Sequence, residues 1–254
     1  MLVRPAGEGF EVLMLRRSSK SAFAADAYVF PGGTVDAQDR DRSTHAGISG
    51  LDEPRLRALF RSEITALLPR PPVAASKHED RVALLVAALR EVFEESGVLL
   101  GASKMVAPAA LQGARARLHA AEWTFGEVLE RLNCRLNAGV LELFSQWITP
   151  PSEGRRFNAH FFLAVADAEQ TGAADQLETH DAMWVAPNNA LERFEAGTLA
   201  MVYPTVKHMQ RLARFKNVET LLHFARQKTI VQIMPNAQAD FSSFAIPAEL
   251  EGSW

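Results

Sequence analysis

The chain has 254 residues, of which 48% are hydrophobic and 22% are charged, a composition typical of one large folded domain. Its net charge of -3 and its pI near 6.2 provide no basic field, which disfavours nucleic acid or an anionic membrane as a partner. The single cysteine, Cys134, excludes an internal disulfide and suits a reducing compartment.

The first half of the chain predicts two strands and then a helix. Residues 10–18 are a short apolar run with a basic end, which predicts a strand. Residues 27–30 predict a second strand, which ends at the turn signal Pro31-Gly32-Gly33. From Asp52 to Leu68 the spacing of apolar residues is helical, and the proline-rich residues 69–72 end that helix.

A long helix is predicted next. Residues 76–79, SKHE, have the form of a capping box, and Gly97 is placed to cap the C-terminus after about Ser96. One face of this helix is an apolar stripe that should be buried. The stripe consists of Val82, Leu85, Val86, Leu89, Val92 and Phe93.

Three glutamates, Glu91, Glu94 and Glu95, lie on the opposite side of the helix. Like charges at these spacings repel by roughly 0.2–0.5 kcal/mol per pair. A solvated face is one explanation, although such a face gains more from alternating signs. The other explanation is a hard divalent cation such as Mg²⁺, which binds carboxylate oxygens together with waters and substrate phosphates.

The second half of the chain predicts alternating helices and strands. Helices are expected at residues 108–121, 124–136, 187–197 and 205–215, and strands at 141–149, 156–167 and 228–234. The longest uncharged apolar run, residues 82–89, is too short to cross a bilayer, and the N-terminus lacks the apolar region of a signal peptide. We therefore expect a soluble, cytoplasmic protein with no membrane partner. The sequence leaves the oligomeric state open, a homodimer included.

The segment REVFEESGV, residues 90–98, resembles the second half of the Nudix box, G-x5-E-x7-R-E-U-x-E-E-x-G-U with U a bulky apolar residue. The segment FPGG, which ends at Gly33, resembles the first half. Arg90 lies 57 positions after Gly33, against 14 in the box, so 43 residues are inserted between the halves. Asp39 stands where the family has glutamate.

An insertion at this place resembles the peroxisomal coenzyme A diphosphatase, or Nudix 19, branch of the family. The segments LMLRRS, VFPGGTVDAQDR and WITPPSEGRRFNAHFFLA are similar to the same branch. Pro31 stands where the mammalian branch tends to have serine, and the chain ends in EGSW rather than in a peroxisomal tripeptide. The resemblance therefore favours a relative outside peroxisomes.

The resemblance implies an α+β Nudix fold, a mixed sheet between helices, in a single domain over residues 1–254. Helical insertions are expected at about 40–75 and 103–137. The implied activity is Mg²⁺- or Mn²⁺-dependent hydrolysis of the diphosphate in a nucleoside diphosphate derivative, with coenzyme A or an acyl-coenzyme A as the leading substrate. ADP-ribose, nucleotide sugars and dinucleotides are alternatives. A catalytically silent nucleotide sensor is disfavoured, because the three glutamates are intact and no basic helix-turn-helix is present.

The resemblance also implies roles for individual residues. Glu91, Glu94 and Glu95 are the expected metal ligands together with the carbonyl of Gly32, and Glu94 and Glu95 are also counted as catalytic. Arg90 is expected to orient a glutamate through an ion pair.

Three further positions are candidates near the site. Glu178 resembles an acidic loop position that serves as base or extra ligand, with an exposed loop acid as the alternative. Arg155 and Arg156 are candidates to bind substrate phosphates, since guanidinium pairs with phosphate bidentately, and a solvated hairpin turn is the alternative. Gly33 is expected to contact substrate.

Overall fold

The computed structural model describes residues 1–19, 24–63, 77–151, 156–167, 172–175, 179–237, 244–246, 248, 250–252 and 254. The strands are β1 Leu2–Ala6, β2 Gly9–Arg17, β3 Tyr28–Val29, β4 Ile48–Ser49, β5 Ser62–Glu63, β6 Leu136–Asn137, β7 Glu142–Ile148, β8 Asn158–Val165, β9 Thr179–Val185, β10 Ile230–Ile233, β11 Asn236–Ala237 and β12 Phe244–Ala245. The helices are α1 Arg42–Ala46, α2 Glu53–Leu59, α3 His78–Ser96, α4 Pro108–His119, α5 Phe125–Arg131, α6 Pro187–Glu195, α7 Tyr203–Leu212 and α8 Val218–Gln227. No helix of these residues is long and apolar enough to cross a membrane.

The main sheet has eight strands in the order β3-β2-β1-β8-β7-β10-β5, with β9 paired to β2. It is mixed, because β1 runs antiparallel to β2 and parallel to β8, whereas β7 runs antiparallel to β8 and parallel to β10. Side chains alternate between its faces. Leu13 and Leu15 pack with α3, whereas Val12 and Met14 pack with α7 and α8. The prediction of a mixed sheet between helices is therefore confirmed.

Helix α3 forms much as its sequence predicts. The stripe residues are buried apart from the partly buried Val92, and Gly97 ends the helix with φ 74° while its N–H donates to the carbonyl of Phe93. The N-cap is Lys77, without a side-chain hydrogen bond, and Ser76 of the expected capping box lies outside the described residues. Arg90 and Glu95, which lie outside the stripe, are buried as well.

The helix predicted from Asp52 to Leu68 is wrong in length. Asp52 accepts a hydrogen bond from the N–H of Arg55 and starts α2, but the helix ends at Leu59. The chain then forms β5, which adds to the edge of the sheet beside β10, so strand pairing overrides the helical spacing. Residues 64–76, with most of the remaining predicted helix, lie outside the described residues.

The two insertions pack on each other. Helix α1 contacts α5, and β4 pairs in parallel with β6. A Cβ on Gly126 would lie 2.9 Å from the hydroxyl of Thr44, so glycine permits this close approach. The prediction of a helix over 124–136 is correct only to Arg131, because the chain then turns into β6. Strand β1 and helix α8 were not predicted from the sequence.

A buried histidine, His208 of α7, connects this helix to the sheet. Its Nδ1 lies 2.6 Å from the carbonyl of Pro204 and its Nε2 lies 2.7 Å from the hydroxyl of Ser145, so the neutral ring donates to the first and accepts from the second. The ring of Phe161 packs against it at 4.2 Å between centroids. Burial lowers the pKa of His208 to about 3.

We predict that His208 makes the protein acid-sensitive. The unfolded chain binds a proton at this histidine near pH 6.5, whereas the folded chain binds it only near pH 3, so stability is lost as the pH falls from 6.5. At pH 5 the loss from this residue should be about 2 kcal/mol, at about 1.4 kcal/mol per pH unit. Urea unfolding of His208→Asn, which cannot titrate, should show a smaller decrease between pH 6.5 and pH 5. Equal decreases in the two proteins would contradict the prediction.

Candidate active site

The guanidinium of Arg90 lies at the centre of the candidate site. Its Nε and Nη2 donate to the two carboxylate oxygens of Asp39 at 2.8 and 2.9 Å, and Nη2 also donates to the carbonyl of Thr34 at 2.9 Å. The Arg90 and Asp39 side chains are 5% and 0% exposed. This bidentate pair is therefore buried, and it joins the loop after β3 to helix α3 across the inserted residues.

Local structure explains how Asp39 reaches Arg90. Asp36 caps a 3₁₀ helix, Ala37–Arg40, and its N–H donates to the carboxylate of Asp39 at 2.7 Å, so the two acids form a capping box. The ring of His45 contacts the carbonyl of Asp39 at 2.9 Å. Asp39, which is shorter than the glutamate of the family, is therefore held by Asp36 on one side and by His45 on the other. Its partner Arg90 is also the partner of two glutamates of α3.

Arg90 also binds two of the three predicted carboxylates. Its Nη1 lies 2.7 Å from Glu94 and 3.1 Å from Glu91. Ion pairing with these acids and with Asp39 raises the pKa of Arg90, although burial opposes the charged form. The predicted role of Arg90, orienting a glutamate through an ion pair, matches these contacts.

The loop Pro31-Gly32-Gly33 lies directly over the carboxylates. The N–H of Gly32 donates to Glu95 at 2.7 Å, and Gly32 has φ 152°. A Cβ on Gly33 would lie 2.4 Å from a carboxylate oxygen of Glu91, so any side chain there would displace that glutamate. The structure thus places Gly32, Gly33 and the glutamates together, while the predicted ligand role of the Gly32 carbonyl and the substrate contact of Gly33 stay predictions.

Sequence reasoning missed two residues that hold the end of α3. The Nε of Arg115 donates to the carbonyl of Glu94 at 2.6 Å, and Nε2 of His119 contacts the same oxygen at 2.9 Å. Carbonyls at a helix C-terminus lack partners within the helix, so donors from α4 stabilise them. No spacing in the sequence indicates this contact, because only the folded second insertion brings α4 to α3.

Burial raises the pKa of Glu94 above its usual value, and the charge of Arg90 only partly opposes this. Burial is the larger effect on Glu94, because Arg90 is shared with Asp39 and Glu91. The acids of the cluster, Asp39, Glu91, Glu94 and Glu95, outnumber the two arginines that act on them, Arg90 and Arg115. Hard oxygen donors with excess negative charge suit Mg²⁺ or Mn²⁺.

Within the described parts of the chain, no three acidic, histidine or cysteine side chains are grouped so as to hold a metal ion. Glu91 and Glu94 are directed at Arg90, and Glu95 is directed at Gly32. The residue types fit a hard cation, whereas the set of ligands is a prediction.

Three predicted site residues remain. Arg155 and Glu178 fall outside the described residues. Arg156 is exposed, and its Nε lies 3.3 Å from the carbonyl of Thr149 in the turn between β7 and β8. That contact fits the hairpin alternative, and phosphate binding by Arg156 stays a prediction.

Comparison with known proteins identifies the family. A strand, glycine loop and acidic helix on a mixed sheet between helices define a Nudix domain. The model of the NUDT19 Nudix domain matches residues 3–212, and the chain belongs to this family. The chain is also similar to the crystal structure of a Nudix hydrolase from Alicyclobacillus acidocaldarius, with a TM-score of 0.68 and 26% identity over 88% of this chain and 93% of that chain.

Two curated relatives carry the name acyl-coenzyme A diphosphatase NUDT19. The protein from Homo sapiens is 30% identical over 244 residues, which cover 87% of this chain and 65% of the relative. The protein from Gallus gallus is 28% identical over 256 residues, which cover 87% of this chain and 66% of the relative. The chain thus matches slightly less than two thirds of the length of these relatives.

We predict that Asp39→Asn destabilises the protein by about 3 kcal/mol, because it removes one partner of a buried ion pair. The matched control is Asp41→Asn two residues away, since Asp41 is exposed and its side chain makes no capping hydrogen bond. Urea unfolding of both variants measures the difference. If the two variants lose the same stability, Asp39 does not hold the halves of the box together.

Proposed function

We propose that this protein is a metal-dependent diphosphatase that hydrolyses coenzyme A or an acyl-coenzyme A to 3',5'-ADP and (acyl-)4'-phosphopantetheine. The observation that carries the proposal is the buried contact of Arg90 with Asp39, Glu91 and Glu94, which brings residues from both halves of the box together despite the insertion. The names of the relatives from Homo sapiens and Gallus gallus support the choice of substrate.

The chain's own residues supply positions and charge for this reaction. Glu91, Glu94 and Glu95, with the carbonyl of Gly32, would hold Mg²⁺ or Mn²⁺. A bound divalent ion neutralises phosphoryl oxygens and makes a water molecule nucleophilic. Arg90 fixes the direction of two glutamates, and the glycines of the loop that contacts the carboxylates are exposed to solvent. Glu178 is proposed as the base or an additional ligand.

The cellular setting follows from the same proposal. The partner is a small nucleoside diphosphate derivative, and the acidic composition supports a cytoplasmic rather than a nucleic-acid-bound protein. The free, buried Cys134 is compatible with a reducing compartment.

We expect Glu95→Gln to lower turnover of coenzyme A on the order of a hundredfold or more. Glutamine can still accept the hydrogen bond from Gly32, so the loop should stay in place while the charge is lost. Removing several kcal/mol of charge stabilisation changes the rate tenfold for each 1.4 kcal/mol. The matched control is Glu130→Gln on the exposed surface of α5. Near wild-type turnover by Glu95→Gln at saturating Mg²⁺ would rule out its role.

The substrate is tested with a panel of diphosphates in Mg²⁺ and in Mn²⁺, with products resolved by mass. We predict that kcat/KM for coenzyme A exceeds that for ADP-ribose by tenfold or more, because burying an arm of pantetheine adds at least ~1.4 kcal/mol at about 25 cal/mol per Å². If ADP-ribose or a nucleotide sugar is hydrolysed as fast as coenzyme A, the coenzyme A assignment is wrong and the protein is a diphosphatase of broader substrate range. No hydrolysis of any diphosphate would favour a nucleotide sensor.

A further inference from the structure

A row of polar side chains crosses one face of the main sheet. Gln232 of β10 is the register partner of Gln146 of β7, and Gln146 is the register partner of His160 of β8. Register partners project from the same face of a sheet, so the three side chains are neighbours. Phe162, two residues along β8, belongs to the core that packs with α3, which identifies this face.

Two members of the row have buried polar atoms without a partner. Gln232 is 6% exposed, and its Oε1 accepts no hydrogen bond. The Nδ1 of His160 also lacks a partner at hydrogen-bonding geometry, although the backbone of Asn158 interacts with the ring and opposes part of the effect of burial on its pKa. By contrast, the amide of Gln146 donates to Asn158 at 2.8 Å. Each unpartnered buried group costs roughly 1–3 kcal/mol, so two of them in one row, on either side of Gln146, suggest that a ligand supplies the missing partners.

The row lies beside the end of helix α2 of the first insertion. The ring of His160 contacts Phe60, at the end of α2, with centroids 6.0 Å apart, and the guanidinium of Arg81 on α3 lies over the same phenylalanine at 5.8 Å. On the other face, Phe161 contacts Phe30, which precedes the glycine loop, at 6.3 Å. Phe161 follows His160 in β8, so the polar row and the aromatic contact with Phe30 lie on opposite faces of the sheet.

The chemistry of the row suits an uncharged ligand. Burial lowers the pKa of His160 to about 4, so its ring is neutral at physiological pH. Gln232 Oε1 requires a donor, and a neutral imidazole nitrogen donates or accepts according to its tautomer. A phosphate offers no donor when ionised. An amide group supplies both a donor and an acceptor without charge.

We infer that Gln232 and His160 bind the amide groups of the pantetheine arm of the substrate. The inference rests on the proposed function, since coenzyme A carries two secondary amides on the arm beyond its diphosphate. Gln146, held by Asn158, keeps the row in position between them. The diphosphate then lies at the acidic cluster of α3, and the arm extends along the sheet toward Phe60 and α2.

Binding measurements on the full chain test this assignment. Calorimetry should give dissociation constants for 4'-phosphopantetheine and for 3',5'-ADP, the two halves of coenzyme A. We expect Gln232→Met and His160→Phe each to raise the ratio of the first constant to the second about tenfold, the loss of one buried hydrogen bond. The control is Gln210→Met, the same substitution at an exposed position of α7. An unchanged ratio in both variants, or equal weakening of both ligands, would overturn the inference.

Stability measurements separate a ligand site from a structural role. In the absence of ligand, Gln232→Met should unfold at the same or a higher temperature, because it removes an unpartnered oxygen, whereas Gln146→Met should unfold at a lower one. A lower unfolding temperature for Gln232→Met would show that the amide is used within the protein, against the inference.

Hydrolysis of coenzyme A is assayed separately. If it fails while the binding ratio responds, the proposed function is wrong and the arm site remains.

Discussion

The buried guanidinium of Arg90 is the interaction on which the catalytic half of the molecule depends. It binds Asp39 and Thr34 from the loop, and Glu91 and Glu94 from its own helix. A buried cation is tolerated only when acids and carbonyls surround it, and here each of those partners is also a part of the box. Formation of the Arg90–Asp39 ion pair therefore also brings the two halves of the box together. The residues of the first insertion need only allow Asp39 and Arg90 to come into contact.

The two insertions accordingly surround the Arg90 cluster, whose acids all belong to the box. The first one leaves the 3₁₀ helix that carries Asp39 and returns to α3, and its helix α1 is fastened to α5 of the second. The second insertion in turn places Arg115 and His119 on the carbonyl of Glu94. Thus the two additions support each other and the C-terminal end of the catalytic helix. They reach the site through its backbone, while the box itself supplies the charged side chains.

Sequence patterns predicted the parts of this structure that depend on local chemistry. The spacing of residues predicted the glycine cap and the buried stripe of α3. The box predicted the proximity of Gly32 to the glutamates. Patterns failed where tertiary pairing decides, as at Leu59, where β5 joins the sheet and ends the predicted helix. Arg115 and His119 could not be predicted, because their role exists only after α4 packs on α3. Asp39 was recognised by position, but its bidentate contact with Arg90 required the fold.

Two places in the structure have charged or polar groups that the protein itself satisfies incompletely. At one of them, burial raises the pKa of Glu94 although the charges of Arg90 and His119 oppose it, and a bound cation would favour the ionised carboxylate. At the other, Gln232 and His160 hold neutral polar atoms without partners. Both features cost stability in the free protein, and such costs are characteristic of binding sites rather than of cores. Under the proposed function, a divalent cation bound together with the diphosphate would offset the first feature, and the neutral amide arm of the same molecule would offset the second.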